Sequence, residues 1–187
     1  VLPPKPGRFA ILNNVVFNNT IQNNDRSYID NFETESLHLN WNFRRYPLQD
    51  IYQINKEESR LNLLCHPNKI KERGRAALLG FKQTESDFEY LTQMYFHPNS
   101  SDSEAGISLF QKDDNYINFT IIKQLGKHFL QAYVVKKGEI LTSVKKELKQ
   151  YQGNIKFKVI AEKNLYKLYY STKGCLLYTS PSPRDWL

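Results

Sequence analysis

The sequence predicts an all-β fold, an antiparallel sandwich or barrel, and three observations carry that prediction. From Asp30 onward apolar and polar residues alternate at period two, which puts every second side chain on one face of a strand. Clusters of turn-forming residues separate these runs every 10 to 15 residues. Only residues 141–151 carry helical spacing, at Leu141, Val144, Leu148 and Tyr151, and either one helix or a strand followed by a loop fits them.

Residues 1–27 join a proline cluster, Pro3, Pro4 and Pro6, to the pairs Asn13-Asn14, Asn18-Asn19 and Asn23-Asn24. Both residue types favour irregular backbone, so the segment reads as a linker or the end of a preceding domain. Its apolar pieces, residues 9–12 and 15–17, are still able to pair as strands. The first run then sets Leu37, Leu39, Trp41 and Phe43 against His38, Asn40 and Asn42. A second face collects Phe88, Tyr90, Thr92, Met94 and Phe96, and a third Ala105, Ile107 and Leu109. Phe129, Gln131, Tyr133 and Val135 make a fourth; Ile155, Phe157, Val159 and Ala161 alternate with Lys156, Lys158 and Ile160. Turns are expected at residues 97–103, 112–115, 136–139 and 150–154.

The 187 residues, 40% of them hydrophobic, suffice for one domain with a core that needs neither disulfides nor metals. Apolar runs such as Ala76-Ala77-Leu78-Leu79 fall far short of the roughly 18 residues of a membrane helix. An excess of 26 Lys and Arg over 19 Asp and Glu, net +7, leaves an anionic partner open. Cys65 and Cys175 are too few for a disulfide framework and lack C-x-x-C spacing, so a secreted and a cytoplasmic compartment are equally compatible. The start at Val1, without Met or a signal pattern, reads as a piece of something longer.

Paired carboxylates, Glu57-Glu58, Asp87 with Glu89, Asp102 with Glu104 and Asp113-Asp114, fall in turns or on polar strand faces, whereas a glycosidase needs two carboxyl groups across a cleft. Cys65-His66 lacks nucleophile geometry, because neighbours on a strand point to opposite faces and Pro67 ends the strand. His38, His97 and His128 show no metal-ligand spacing, and no metal or cofactor is indicated. Basic clusters at Arg44-Arg45, residues 69–75, Lys136-Lys137, Lys145-Lys146 and Lys156 with Lys158 are spread along the chain and read as solvated surface. Trp41, Tyr46, Tyr52, Tyr116 and Tyr133 could stack on sugar rings, but β-sheets use the same residues for their cores.

Several stretches together resemble a known family. Asp30-Asn31-Phe32 followed by Trp41-Asn42-Phe43-Arg44-Arg45-Tyr46-Pro47 is similar to the D-x-F and W-x-F-x-R-N-P motifs that open the C-terminal concanavalin A-like domain of glycoside hydrolase family 43 β-xylosidases, with Tyr46 in place of Asn. Residues 75–83 resemble its strand ending in R-R-Q. Ala105-Gly106-Ile107 through Gln111, then Tyr116, resembles its A-G-L segment, and residues 168–174 its F-x-Y-S-x-D-G hairpin, with Lys173 in place of Asp.

The resemblance implies a concanavalin A-like jelly roll over residues 28–174 that lacks its last strands. Residues 175–187 look like translated adaptor sequence, show no strand alternation, and read as a non-native tail. It further implies an accessory domain that packs on, and shapes the active site of, an N-terminal five-bladed catalytic propeller acting on xylo-oligosaccharide or arabinoxylan. No catalytic residue is carried over. Trp41, Arg45, Tyr46, Tyr52 and Tyr116 are the candidate carbohydrate or interdomain contacts. The alternatives are a stand-alone carbohydrate-binding module and, further off, a basic nucleic-acid-binding β domain.

Overall fold

The computed structural model describes residues 9–19, 26–44, 51–72, 74, 76–163, 165–172 and 178–180. Fourteen strands and no helix occur among them: β1 (Phe9–Asn19), β2 (Arg26–Asp30), β3 (Trp41–Phe43), β4 (Tyr52–Asn55), β5 (Arg60–Leu64), β6 (Leu79–Phe81), β7 (Phe88–Tyr95), β8 (Glu104–Lys112), β9 (Asn115–Gln124), β10 (Lys127–Lys136), β11 (Glu139–Glu147), β12 (Asn154–Glu162), β13 (Leu165–Ser171) and β14 (Tyr178–Ser180). All pairings are antiparallel. The large sheet runs β14-β13-β12-β7-β1-β5-β4 with β2 also on β1; the second runs β11-β10-β9-β8; β3 and β6 form a separate ribbon.

The alternation read from the sequence becomes the core. Phe88, Thr92, Met94 and Phe96 of the β7 segment and Ile155, Phe157, Val159 and Ala161 of β12 are all buried. Phe119, Ile121 and Leu130 of the second sheet meet them, with the Phe119 and Phe157 rings edge-on at 5.1 Å. On β10 the core takes Leu130 and Ala132, so Phe129, Gln131 and Tyr133 lie on the opposite face of the sheet.

Two expectations are corrected. The segment read as a linker holds β1, which lies inside the large sheet: its first half pairs β5 and its second half β2, while β7 runs along its other side. The Asn13-Asn14 interruption is a bulge, with the β7 register shifting between Asn13 and Val16, so two apolar pieces become one strand. The run from Leu37 to Phe43 is strand only over Trp41–Phe43; before it the backbone bends and turns, leaving Leu39 fully in solvent. Of the two readings open for residues 141–151, the strand followed by a loop is the one that forms: β11 continues to Glu147, and the loop then buries Leu148 and Tyr151. The Tyr151 hydroxyl lies 2.8 Å from the carbonyl oxygens of Phe96 and Gly153, tying that loop to the end of β7. Residues 178–180 also pair with β13.

Strands β9, β10 and β11 are joined by two-residue turns. Leu125 (φ 50°) with Gly126 (φ 77°), and Lys137 (φ 52°) with Gly138 (φ 82°), take the left-handed backbone that such hairpins require, and glycine adopts it without a Cβ penalty.

Because Phe119 fills the space between the sheets, Phe119→Ala is expected to cost about 3–5 kcal/mol. Chemical denaturation measures this, and a loss below about 1 kcal/mol would show that the sheets do not close on this ring.

Candidate functional site

Asp30 ends β2, and its carboxylate accepts three hydrogen bonds: from the Phe32 amide (2.8 Å), the Tyr28 hydroxyl (2.9 Å) and Trp41 Nε1 (2.7 Å). The first turns the chain, with Phe32 at φ 54°, and drives the Phe32 ring into the interior. There it lies 5.8 Å from Trp41, and Trp41 in turn meets Phe81 edge-on at 5.3 Å. Desolvation, reinforced by Asp30, raises the Tyr28 phenol pKa well above its ordinary value. The D-x-F and tryptophan motifs are therefore two halves of one knot.

Of the candidate residues, Trp41 is buried in this knot, and Tyr52 is half-buried beside it with its ring 5.4 Å from Phe43. Tyr116 is buried on the second sheet, 6.5 Å from Phe110 and 6.3 Å from Tyr133. Arg45 and Tyr46 lie outside the described residues. Trp41 and Tyr116 line one cavity of about 1000 Å³ between the β3–β6 ribbon and the outer edge of β8; Tyr52 does not. Its long walls are residues 77–83 and 106–111, and Phe88, Tyr90, Thr92 and Tyr166 floor it. Burial there pushes the Tyr90 phenol up to about 12.

Arg44, read from sequence as solvated, closes one end. Its side chain is 6% exposed. It donates to the carbonyls of Ile70 (2.6 Å) and Glu72 (2.8 Å) and to Asp113 (2.5 Å), and its guanidinium sits 5.5 Å from the centre of the Phe110 ring. A rigid planar fork serves three acceptors at once from two separate nitrogens, whereas a lysine would present its donors from a single point on a flexible stem. Two adjacent arginines beside an aromatic strand were the available signal.

A second polar constellation lies on the face of β8–β10 that points away from the core. Glu104 Oε1 accepts from Thr120 (2.7 Å), Gln131 (3.1 Å) and Tyr133 (3.1 Å), and Asn118 donates to Tyr133 (2.7 Å). Desolvation first, then the Glu104 charge, raises the pKa values of Tyr116 and Tyr133. Glu104 thus works as a shared acceptor; the Glu57-Glu58 and Asp113-Asp114 pairs sit in the β4–β5 and β8–β9 turns.

The fold brings together two histidines that the sequence holds apart. The rings of His97 and His128 stand 4.8 Å apart, and Tyr151 lies 5.3 Å from His128. Desolvation, then His97 and Lys123, lowers the His128 pKa. Cys65 follows β5 and packs on the main core. Lysines of several strands are paired, Lys158 with Glu89 (2.8 Å), Lys127 with Glu147 (3.2 Å) and Lys167 with Glu162 (2.7 Å). Among the described residues no three His, Cys, Asp or Glu side chains form a group able to hold a metal.

The family model for the β-xylosidase C-terminal concanavalin A-like domain matches residues 29–182. A "Xylosidase/arabinosidase" of Butyrivibrio fibrisolvens is 27% identical over 90 residues, which is 48% of this chain and 17% of that protein. Among solved structures, the Bacteroides ovatus "Xyloglucan PUL GH43B" superposes with a TM-score of 0.76 at 19% identity, over 82% of this chain and 30% of that one. The GH43 BlXynB protein of Bacillus licheniformis gives 0.74 at 20%, over 83% and 30%. The xylan beta-1,4-xylosidase of Bacillus halodurans C-125 gives 0.74 at 19%, over 82% and 30%. The chain thus spans under a third of the length of each of these proteins.

Trp41→Phe keeps the ring packing but removes the Nε1 donor; it is expected to cost about 1–2 kcal/mol in equilibrium unfolding. No change would mean that Asp30 is held by its other two donors alone. For His128 the folded state binds its proton less readily than the unfolded chain, whose value is near 6.5. Stability contributed by the neutral imidazole is therefore complete above that value and is lost as pH falls below it. Thermal melts between pH 7 and 5 should show this decline, and His128→Gln should flatten it; identical slopes would exclude the histidine as its source.

Proposed function

Because the chain belongs to the β-xylosidase C-terminal concanavalin A-like domain family, we propose that it serves a family 43 glycosidase of the xylosidase–arabinosidase type by packing on the catalytic domain and shaping its pocket. Hydrolysis belongs to the other part of that polypeptide. The match over residues 29–182, in a chain covering 30% of the solved enzymes, is the observation that carries this reading. The chemistry of the described residues supports it. Hydrolysis of a glycosidic bond needs one carboxyl group to protonate the leaving oxygen and another to act as base or nucleophile across the bond. Here the acidic side chains hold structure: Asp30 ties the motif knot, Glu104 binds three strands together and Asp113 anchors Arg44. The substrate of the whole enzyme would be a short xylo-oligosaccharide or arabinoxylan, in keeping with the xylosidase and arabinosidase names of the relatives.

The isolated chain is expected to release no nitrophenol from p-nitrophenyl β-D-xyloside or α-L-arabinofuranoside. Deleting the segment from the full-length enzyme should lower kcat/KM at least tenfold. An undiminished kcat/KM would overturn the pocket-shaping role, and heat on titrating xylohexaose into the isolated chain would favour a carbohydrate-binding module instead.

A further inference from the structure

The fold sets the imidazoles of His97 and His128 side by side on backbones that are fixed independently of either ring. His97 follows the β7 segment, between Phe96 and Pro98. The Phe96 amide donates to the Gly153 carbonyl (2.8 Å), its own carbonyl accepts from the Tyr151 hydroxyl (2.8 Å), and Pro98 is fully buried. His128 lies in β10 opposite Lys123 of β9, and its carbonyl accepts from the Leu148 amide (2.9 Å). Main-chain bonds thus place both residues, so little chain entropy is left to lose when the two rings are joined by a ligand.

Their separation is that of two ligands on one metal ion. A zinc–nitrogen bond is about 2.0–2.1 Å long, and the centre of an imidazole lies about 1.1 Å beyond its ligating nitrogen. With angles at the ion of about 90° to 110°, the two ring centres then stand about 4.5–5.3 Å apart. The His97 and His128 centres are 4.8 Å apart, with 72° between the ring planes. His128 Nε2 is buried and makes no hydrogen bond, an unpaired nitrogen that coordination would employ. His97 is exposed, so its ring can turn to meet an ion arriving from solvent. Imidazole nitrogens suit Zn2+, Ni2+ and Cu2+, whereas Ca2+ and Mg2+ take oxygen ligands. With no group of three His, Cys, Asp or Glu among the described residues, the remaining coordination positions go to water. Lys123, directly opposite His128, works against a cation.

We propose that His97 and His128 form a two-histidine site for a divalent transition ion, Zn2+ above all, and that the bound ion ties the loop after β7 to the start of β10. The ion would link the large sheet to the four-stranded one at a corner of the sandwich, where β7 and β10 belong to different sheets. Nothing in this site depends on the glycosidase reading.

Calorimetric titration of ZnCl2 into the 187-residue chain, free of any affinity tag and at neutral pH, tests this. One Zn2+ per chain is expected, with heat that MgCl2 and CaCl2 do not produce. His97→Gln and His128→Gln should each weaken binding at least tenfold, and His38→Gln should leave it unchanged. Lys123→Gln should tighten it about threefold by removing the opposing charge. Because His97 is exposed, His97→Gln is the variant that spares the core, and an unaltered far-ultraviolet circular dichroism spectrum checks that it folds. Should the chain prove insoluble, a longer polypeptide that contains it serves, with the difference between wild type and His97→Gln read in place of the total. No binding by the wild-type chain, or undiminished binding in both histidine variants, would overturn the site. Loss in only one of the two would mean a single histidine ligand and would overturn it equally.

Discussion

The structure depends on the closure of two antiparallel sheets over one layer of apolar side chains, and the edge-on contact of Phe119 with Phe157 is its centre. Each sheet alone has one face that water would wet, so neither is stable without the other. That constraint fixes register throughout, because a slip of one residue in β12 would turn Ile155, Phe157, Val159 and Ala161 outward together. Everything else in the domain is arranged around the rim of this layer.

At one rim the Asp30 carboxylate performs a task that its sequence neighbours leave obscure. Three donors converge on it from β2, the turn after it and β3, so the path of the chain from the large sheet to the ribbon is set by a single acceptor. The aromatic groups it organises, Phe32, Trp41 and Phe81, form a second, smaller core. An aromatic motif that reads as a sugar platform is thereby occupied in holding the ribbon on the sandwich, while one side of Trp41 stays at the cavity.

Much of this was legible in the residues, and the failures have physical causes. Strands β7 and β12 alternate cleanly because one face is buried and the other wet. Strand β9 shows no alternation because both of its faces are covered, Phe119 and Ile121 on one and Tyr116, Asn118 and Thr120 on the other. Asn13-Asn14 hid β1 because asparagines mark turns and bulges alike, and only pairing on both sides tells them apart. The Glu104 constellation draws on three strands and is visible only once their register is known. Arg44 and Arg45 are indistinguishable by type; geometry singles out the former.

The two sheets also differ in how far along the chain their partners lie. Strands β8 to β11 follow one another as a meander, each of the three connections being two residues long, so each pairing closes a short loop at small entropic cost. In the large sheet Met94 stands between Leu12 on one side and Ile155 on the other, partners that are 82 and 61 residues away. Half of the sandwich is thus assembled from local contacts, and the other half closes only when distant parts of the chain meet across it. Topology of this second kind slows folding and keeps open edges in solution for longer. The meander is then a template waiting for its lid, and the time that lid takes to form sets how long the apolar layer stays exposed to other molecules.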